Sequence, residues 1–392
     1  MKNLLLTWSM LLTMATAYAQ SNVTTLSQTG IDNKATLAQE GQGQEVLAVQ
    51  NGTNNQLTTS QTSTYAQEIN ITQTGTGNKA VATQDDGSGP GTFIQILQNG
   101  TNNEALANQS DFFTYGSEVS INQSGINQRA TVNQLAAVGS SAGIEQTGAG
   151  SGNTATITQT NLSYLDAAEI RQNGENQTAT INQNGTIYLI GGNEAYINQT
   201  STFAQTAQIT QEGDQNLAEI YQENGAGPDN NATTFQSGYG NVSYIDQSDF
   251  ATISSTASTA QIGLFNEATI EQFAAIGGQA SITQTGDENR AYIGQGKAGQ
   301  TISYSNSAQI TQSGDFNVSG VIQTGNGNQA VFQQIGTGNA ILNPTSTDFV
   351  MQQGDNNSLI VTQTGVGNLL QIQQMGNGNT SIINQTSGVV TP

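Results

Sequence analysis

The sequence predicts an all-β fold: a β-solenoid of stacked strand-arc-strand coils, with two parallel in-register sheets face to face. Three observations predict it. A glutamine recurs 30 times at near-constant spacing, small or apolar residues alternate with polar ones around it, and a glycine often stands two residues after it. Repetition over the whole length outranks any local reading, because each unit is completed only by its neighbours.

The series opens with Gln28, Gln39, Gln50 and Gln61 and closes with Gln352, Gln363, Gln374 and Gln385; 16 of its 29 intervals are 11 residues long. Most short intervals carry the phrase Q-x-G-x-x-N-x-A-x-x-x-Q. It appears as Gln73, Gly75, Asn78, Ala80, Gln84 and again as Gln98, Gly100, Asn103, Ala105, Gln109. Further on it appears as Gln211, Gly213, Asn216, Ala218, Gln222; as Gln261, Gly263, Asn266, Ala268, Gln272; and as Gln284, Gly286, Asn289, Ala291, Gln295. These residues are the expected structural ladder.

The strands follow from period-2 alternation. Ala207, Ile209 and Gln211 fall on one face before the turn, and Asn216, Ala218, Ile220 and Gln222 after it; intervening positions are mostly Thr, Asn, Ser, Glu or Lys. The arcs follow from glycine, which accepts backbone conformations that other residues resist. Intervals of 12 to 18 residues supply wider arcs, and Pro90, Pro228 and Pro344 fall inside them, where no ladder donor is lost. Two strands per turn give about 15 coils from 30 strands, roughly 70 Å tall at ~4.8 Å per coil.

Stacking then places amide over amide. A buried amide is costly unless paired, and an identical amide one rung away satisfies it. A slip by one residue would turn the alanines and isoleucines outward. The tight intervals change parity between Gln183 and Gln211, so the sharp edge is expected to swap sides there. Lys79, Glu104 and Arg129 fall on one outward column with alternating sign, as do Glu267 and Arg290.

Residues 1–19 read as a signal peptide: Lys2, an apolar run from Leu4 to Met14, and a cleavage site at Ala17-Tyr18-Ala19. Residues 20–392 are then one solenoid domain. No later stretch reaches the ~20 apolar residues of a spanning helix, so the chain is expected to be exported and not integral to a membrane. Without the leader, 6 basic side chains face 28 acidic ones, a net charge of −22. That balance argues against nucleic acid as a partner. The chain has no cysteine and no histidine, which removes the usual triads, thiol chemistry and the common zinc sites. No phosphate loop is present. No enzyme, cofactor or metal site is expected. Asp85-Asp86-Gly87-Ser-Gly89 loosely resembles a calcium loop but occurs once. Tyr65, Phe93, Phe112, Phe113, Tyr164, Phe203 and Phe250 lie in or beside the long connections and are expected to pack over the solenoid edge.

The phrase resembles the curlin repeat, S-x5-Q-x-G-x-G-N-x-A-x3-Q, of curli amyloid fibre subunits. The Gly-Asn pair is intact at Gly77-Asn78, Gly240-Asn241, Gly327-Asn328, Gly338-Asn339, Gly367-Asn368 and Gly378-Asn379. The leading serine is kept at Ser117, Ser140, Ser255 and Ser346, whereas Gln44, Gln128 and Gln177 replace the asparagine. Typical members have about five repeats, and this chain has roughly three times that. The extended segment that follows the leader in the family is nearly missing, since Gln28 comes eight residues after Gln20.

The resemblance implies a left-handed solenoid subunit that polymerises head to tail into extracellular fibres at the bacterial cell surface, for biofilm and adhesion. It also implies a curli-type secretion channel, a nucleator and a chaperone as partners. Open strand edges at both ends of an uncapped solenoid lead to the same expectation of polymerisation. A monomeric surface-binding solenoid (an ice-binding protein or adhesin) is the alternative. Thr72, Thr158, Thr210, Thr283, Thr311 and Thr362 stand outward before the glutamine, but Asn122, Asn182 and Asn198 interrupt them. A polysaccharide-cleaving β-helix lacks a catalytic cluster.

Overall fold

The computed structural model describes residues 21–387, except 64, 86–88, 111–113, 149–151, 161–163, 186–190, 224–226, 250, 297–301 and 345–348. The expected leader with Ala17 and Ala19, the residues Asp86 and Gly87, and Phe112, Phe113, Phe250 and Ser346 lie outside the described residues. Strands enter two main sheets in alternation. Val23–Ile31 belongs to the first and Lys34–Gly41 to the second, and every strand pairing is parallel.

The second sheet has 15 strands, one per coil. The first has 17, because two of its levels are each divided in two. Ala340–Leu342 and Val350–Gln353 both lie on Val318–Thr324, and Leu369–Gln371 and Gln373–Met375 continue them. Some 13 coils lie between two neighbours, which makes this a parallel β-solenoid of about 13 turns with one further coil at each end. The long connections stack as well: Ala275–Ile276 pairs with Ser303–Tyr304, and Tyr115, Val138 and Tyr164 form successive bridges.

Register is glutamine on glutamine throughout, as in Gln50 on Gln73, Gln134 on Gln159 and Gln211 on Gln236. Alternation decides what is inside. In Lys79–Asp85, Ala80, Ala82 and Gln84 are buried while their neighbours are not. The inward faces of both sheets meet in one narrow core dominated by alanine, isoleucine and valine.

The tight arcs use two left-handed residues, except that the arc after Gln172 has only Asn176 (φ +53°), Gly174 lying outside that region. The first is the phrase glycine (φ +111° at Gly75, +100° at Gly213), and a Cβ there would collide with the carbonyl of the glycine one coil on. The second precedes the asparagine, where Gly77, Asn102, Gln215, Phe265 and Glu288 all have φ between +53° and +69°. Its side chain points outward, so residues other than glycine are accommodated at a local conformational cost.

From Gln73 to Gln183 the 11-residue arcs carry the chain from the first sheet to the second; from Gln211 to Gln295 they carry it back from the second to the first. The tight edge therefore changes sides between Gln183 and Gln211. A single swap is an incomplete account. Near the C-terminal end, Gln312 to Gln323 and Gln323 to Gln334 are tight on both edges, and the excess length is gathered into the connection before Gln352. Pro90, Pro228 and Pro344 lie in turns between strands.

One arc supplies a paired test. At Gly336 (φ +116°) a Cβ would strike the Gly365 carbonyl, whereas Gly338 (φ +66°) has open space around it. Gly336→Ala is expected to cost more than ~1 kcal/mol, read as a lowered urea midpoint. Gly338→Asn should stay within about 0.5 kcal/mol of the parent, because Asn tolerates this conformation.

Candidate functional site: amide ladders and end faces

The glutamines form two uninterrupted hydrogen-bond ladders. In the first sheet each Nε2, from Gln28 to Gln352, donates to Oε1 of the glutamine one coil on, at 2.6–3.0 Å. In the second sheet the same bond runs from Gln39 to Gln385 at 2.7–3.0 Å. The second amide hydrogen crosses the core to a backbone carbonyl of the facing strand: Gln73 reaches Gln56 and Gln211 reaches Glu194, both at 2.9 Å. One side chain thus ties two coils and two sheets together.

The asparagines line the edges. The Asn103 backbone N–H donates to Asn78 Oδ1 at 3.0 Å, and Asn78 Nδ2 donates to the Gly100 carbonyl at 3.1 Å. Asn241 repeats this on Asn216, and Asn289 on Asn266, with an added Nδ2 to Oδ1 bond at 3.0 Å. Ala80, Ala105, Ala218, Ala268 and Ala291 are buried beside them. Gly100, Gly263 and Gly286 occupy the same left-handed arc position as Gly75 and Gly213.

The motif serine and asparagine, read separately in the sequence, occupy one structural position. The Ser140 N–H donates to Ser117 Oγ, the Asp166 N–H to Ser140 Oγ, and the Asn193 N–H to Asp166 Oδ1. Beyond the side swap the column continues through Asn193 to Asn216. Sequence reasoning also missed a buried hydroxyl triad. Thr234 and Thr259 stand where isoleucine is usual and Ser243 where alanine is. Their hydroxyls satisfy one another at 2.6–3.1 Å.

On the outside, Glu104 sits between Lys79 (2.8 Å) and Arg129 (3.2 Å), and Arg290 lies 3.4 Å from Glu267. The hydrogen bond from Lys79, together with the charges of Lys79 and Arg129, holds the Glu104 carboxyl below its ordinary value against partial burial. Asp85 accepts from Ser60 and Thr62 hydroxyls, and no cluster of three metal-ligating side chains occurs among the described residues. Tyr65, Tyr164 and Phe203 are 41–43% exposed, and Phe93 is a strand residue, in Thr92–Thr101. The threonine column is divided. Thr72 lies on the first sheet, and on the second Phe235 and Ala260 separate Thr210 from Thr283. No flat threonine array results.

Each ladder stops at an open coil. Among the described residues, Val23–Ile31 and Lys34–Gly41 have a strand partner on one side only, and so do the strands that end the stack, including Thr380–Thr386. Leu26, Ala35 and Leu37 at one end, and Leu370, Ile372 and Ile383 at the other, are only partly covered.

This architecture defines a parallel β-solenoid of stacked amide rungs. The family model of the curlin associated repeat matches residues 305–336, so the chain carries the curlin associated repeat within that solenoid. A search of curated proteins returned no match. No helix of the described residues is long and apolar enough to cross a membrane.

Gln236→Leu would leave the Oε1 of Gln261 without its donor inside the stack. A loss of about 1–3 kcal/mol is expected in denaturant titration, against a much smaller loss for Gln385→Leu at the open end. Because Glu104 is lowered, its contribution exists above its unfolded-state value of 4.5 and disappears as pH falls through the folded value. Glu104→Gln should therefore lower stability by less than ~1 kcal/mol at neutral pH, for so exposed a pair, with the difference vanishing in acid.

Proposed function

We propose that the protein is a secreted structural subunit that assembles end to end into extracellular curli-like amyloid fibres for biofilm matrix and adhesion. The observation that carries this reading is the polarity of the glutamine ladders. Every rung donates in the same direction, so the last coil presents the Nε2 groups of Gln374 and Gln385. The first coil presents the Oε1 atoms of Gln28 and Gln39, the latter also accepting from the Thr24 hydroxyl, one step before the first bonds of each ladder.

A second copy placed with its first coil on that last coil extends both ladders without a change of sign. Leu26 then meets Ile372, and Leu37 meets Ile383, in the register of the interior coils. Such a contact joins two different faces and does not close, so it propagates as a filament. Unpaired strand edges supply main-chain hydrogen bonds at the same junction. The net charge of −22 without the leader keeps single chains apart until these contacts form. The curlin repeat supports an extracellular location and the curli-type channel, nucleator and chaperone as assembly partners.

Electron microscopy of the purified mature chain over time tests the proposal. Thioflavin-binding, protease-resistant fibres with a ~4.8 Å reflection along the axis are expected. Ile383→Lys should slow elongation about tenfold or more by placing a charge in the junction. Monomer persisting under all conditions contradicts the proposal.

A further inference from the structure

The outward face of the first sheet carries a pattern that neither the ladders nor the end faces use. Tyrosines and carboxylates alternate there like the squares of a chequerboard. One column reads Glu169, Tyr196, Glu219, Tyr244, and the next reads Arg171, Asn198, Tyr221, Asp246. The rings step diagonally from column to column, with centroids 5.4 Å apart from Tyr196 to Tyr221 and 5.5 Å apart from Tyr221 to Tyr244. Two hydroxyls turn to a neighbouring carboxylate, Tyr221 to Glu219 at 3.4 Å and Tyr244 to Asp246 at 3.2 Å, whereas the Tyr196 hydroxyl accepts from Arg171 Nη1 at 3.3 Å.

At its N-terminal end the pattern holds its own cation. The Arg171 guanidinium lies 5.5 Å from the Tyr196 ring centroid, bonds Glu169 at 2.6 Å and faces Glu145 at 3.8 Å. Two coils on, the same elements recur without one. Tyr221, Tyr244, Glu223 and Asp246 line a groove of about 390 Å³ whose rim includes Phe273. Among the described residues, no basic side chain lies within ion-pair distance of Glu223 or Asp246. Burial, with the nearby charge of Asp246, pushes the Glu223 carboxyl above its ordinary value, against the hydrogen bond it accepts from Asn198 Nδ2.

We propose that this groove binds a guanidinium group, as the arginine side chain of a basic polypeptide, stacked on Tyr221 and Tyr244 and paired with Glu223 and Asp246. The Arg171 site supplies the geometry within the same sheet. A planar guanidinium satisfies both halves of the pattern, since it stacks on aromatic faces and offers forked donors to carboxylates. A lysine ammonium satisfies chiefly the charge. The proposal does not depend on assembly, because the groove lies on the side of the solenoid, away from the end faces.

Fluorescence anisotropy with labelled hexa-arginine and the full chain at physiological salt tests it. Binding is expected to weaken about tenfold or more in the Glu223→Gln/Asp246→Asn double variant. Hexa-lysine should bind several-fold more weakly than hexa-arginine to the parent. Tyr221→Leu should remove most of that preference, with the thermal midpoint of each variant reporting that it has folded. Glu40→Gln/Glu45→Gln removes the same charge far from the groove and should change binding less than about twofold. Equal losses in the two double variants, or no preference for arginine, would reduce the effect to bulk charge and overturn the proposal; so would a parent chain that does not bind hexa-arginine.

Discussion

Like side chains sit above like side chains one coil apart, and the glutamine amide is the group that makes this arrangement obligatory. Its donor and acceptor lie at opposite ends of one rigid plane, so a copy displaced along the stack satisfies both at once. The core is too thin for large hydrophobic residues to dominate. Alanine and isoleucine fill it, and the amides set which alanine lies on which. A register slip would break both ladders and expose the apolar face together. Polar groups therefore specify this fold while apolar ones contribute burial.

The same constraint explains the arcs. For glutamines to align, nearly all the tight arcs turn the chain with two left-handed residues, the first hemmed in by backbone of the next coil and the second facing at most a side chain there. It also explains why Ser, Asp and Asn exchange freely at the edge column. All three offer a side-chain oxygen to the first N–H of the next strand, and that single bond is what the position supplies. Where the column has glutamine, as at Gln177, the longer side chain keeps a donor to the Ser201 carbonyl.

Much of the fold was legible in the sequence because it is written in spacing. The glutamine intervals mark the strands, the alternation marks the inside, and the changing parity of short intervals marks where the tight edge moves. What was not legible depends on which strands become neighbours. Tyr196, Tyr221 and Tyr244 are separated by 25 and 23 residues, the length of one coil, yet their stacking appears only once every second strand is assigned to one sheet. The Thr234, Ser243 and Thr259 triad was hidden because hydroxyl residues at inward positions look like breaks in an apolar rule. Phe265 at φ +54° was hidden because a bulky residue in a left-handed arc has no local signature. The 18-residue interval before Gln352 likewise masked that both edges are tight near the C-terminal end.

A solenoid whose internal bonds all point one way has two unlike ends, and its sides remain available for other chemistry. The proposed growth and the proposed guanidinium recognition would then use different parts of one molecule. The fold requires the amide rungs to be closed within the single chain. Proton exchange of the glutamine side-chain amides, followed by NMR on the unassembled chain in heavy water, tests that most directly. Strong protection of interior amides such as those of Gln211 and Gln236, with rapid exchange at Gln385, is the predicted result. Interior amides that exchange as fast as free glutamine would contradict it.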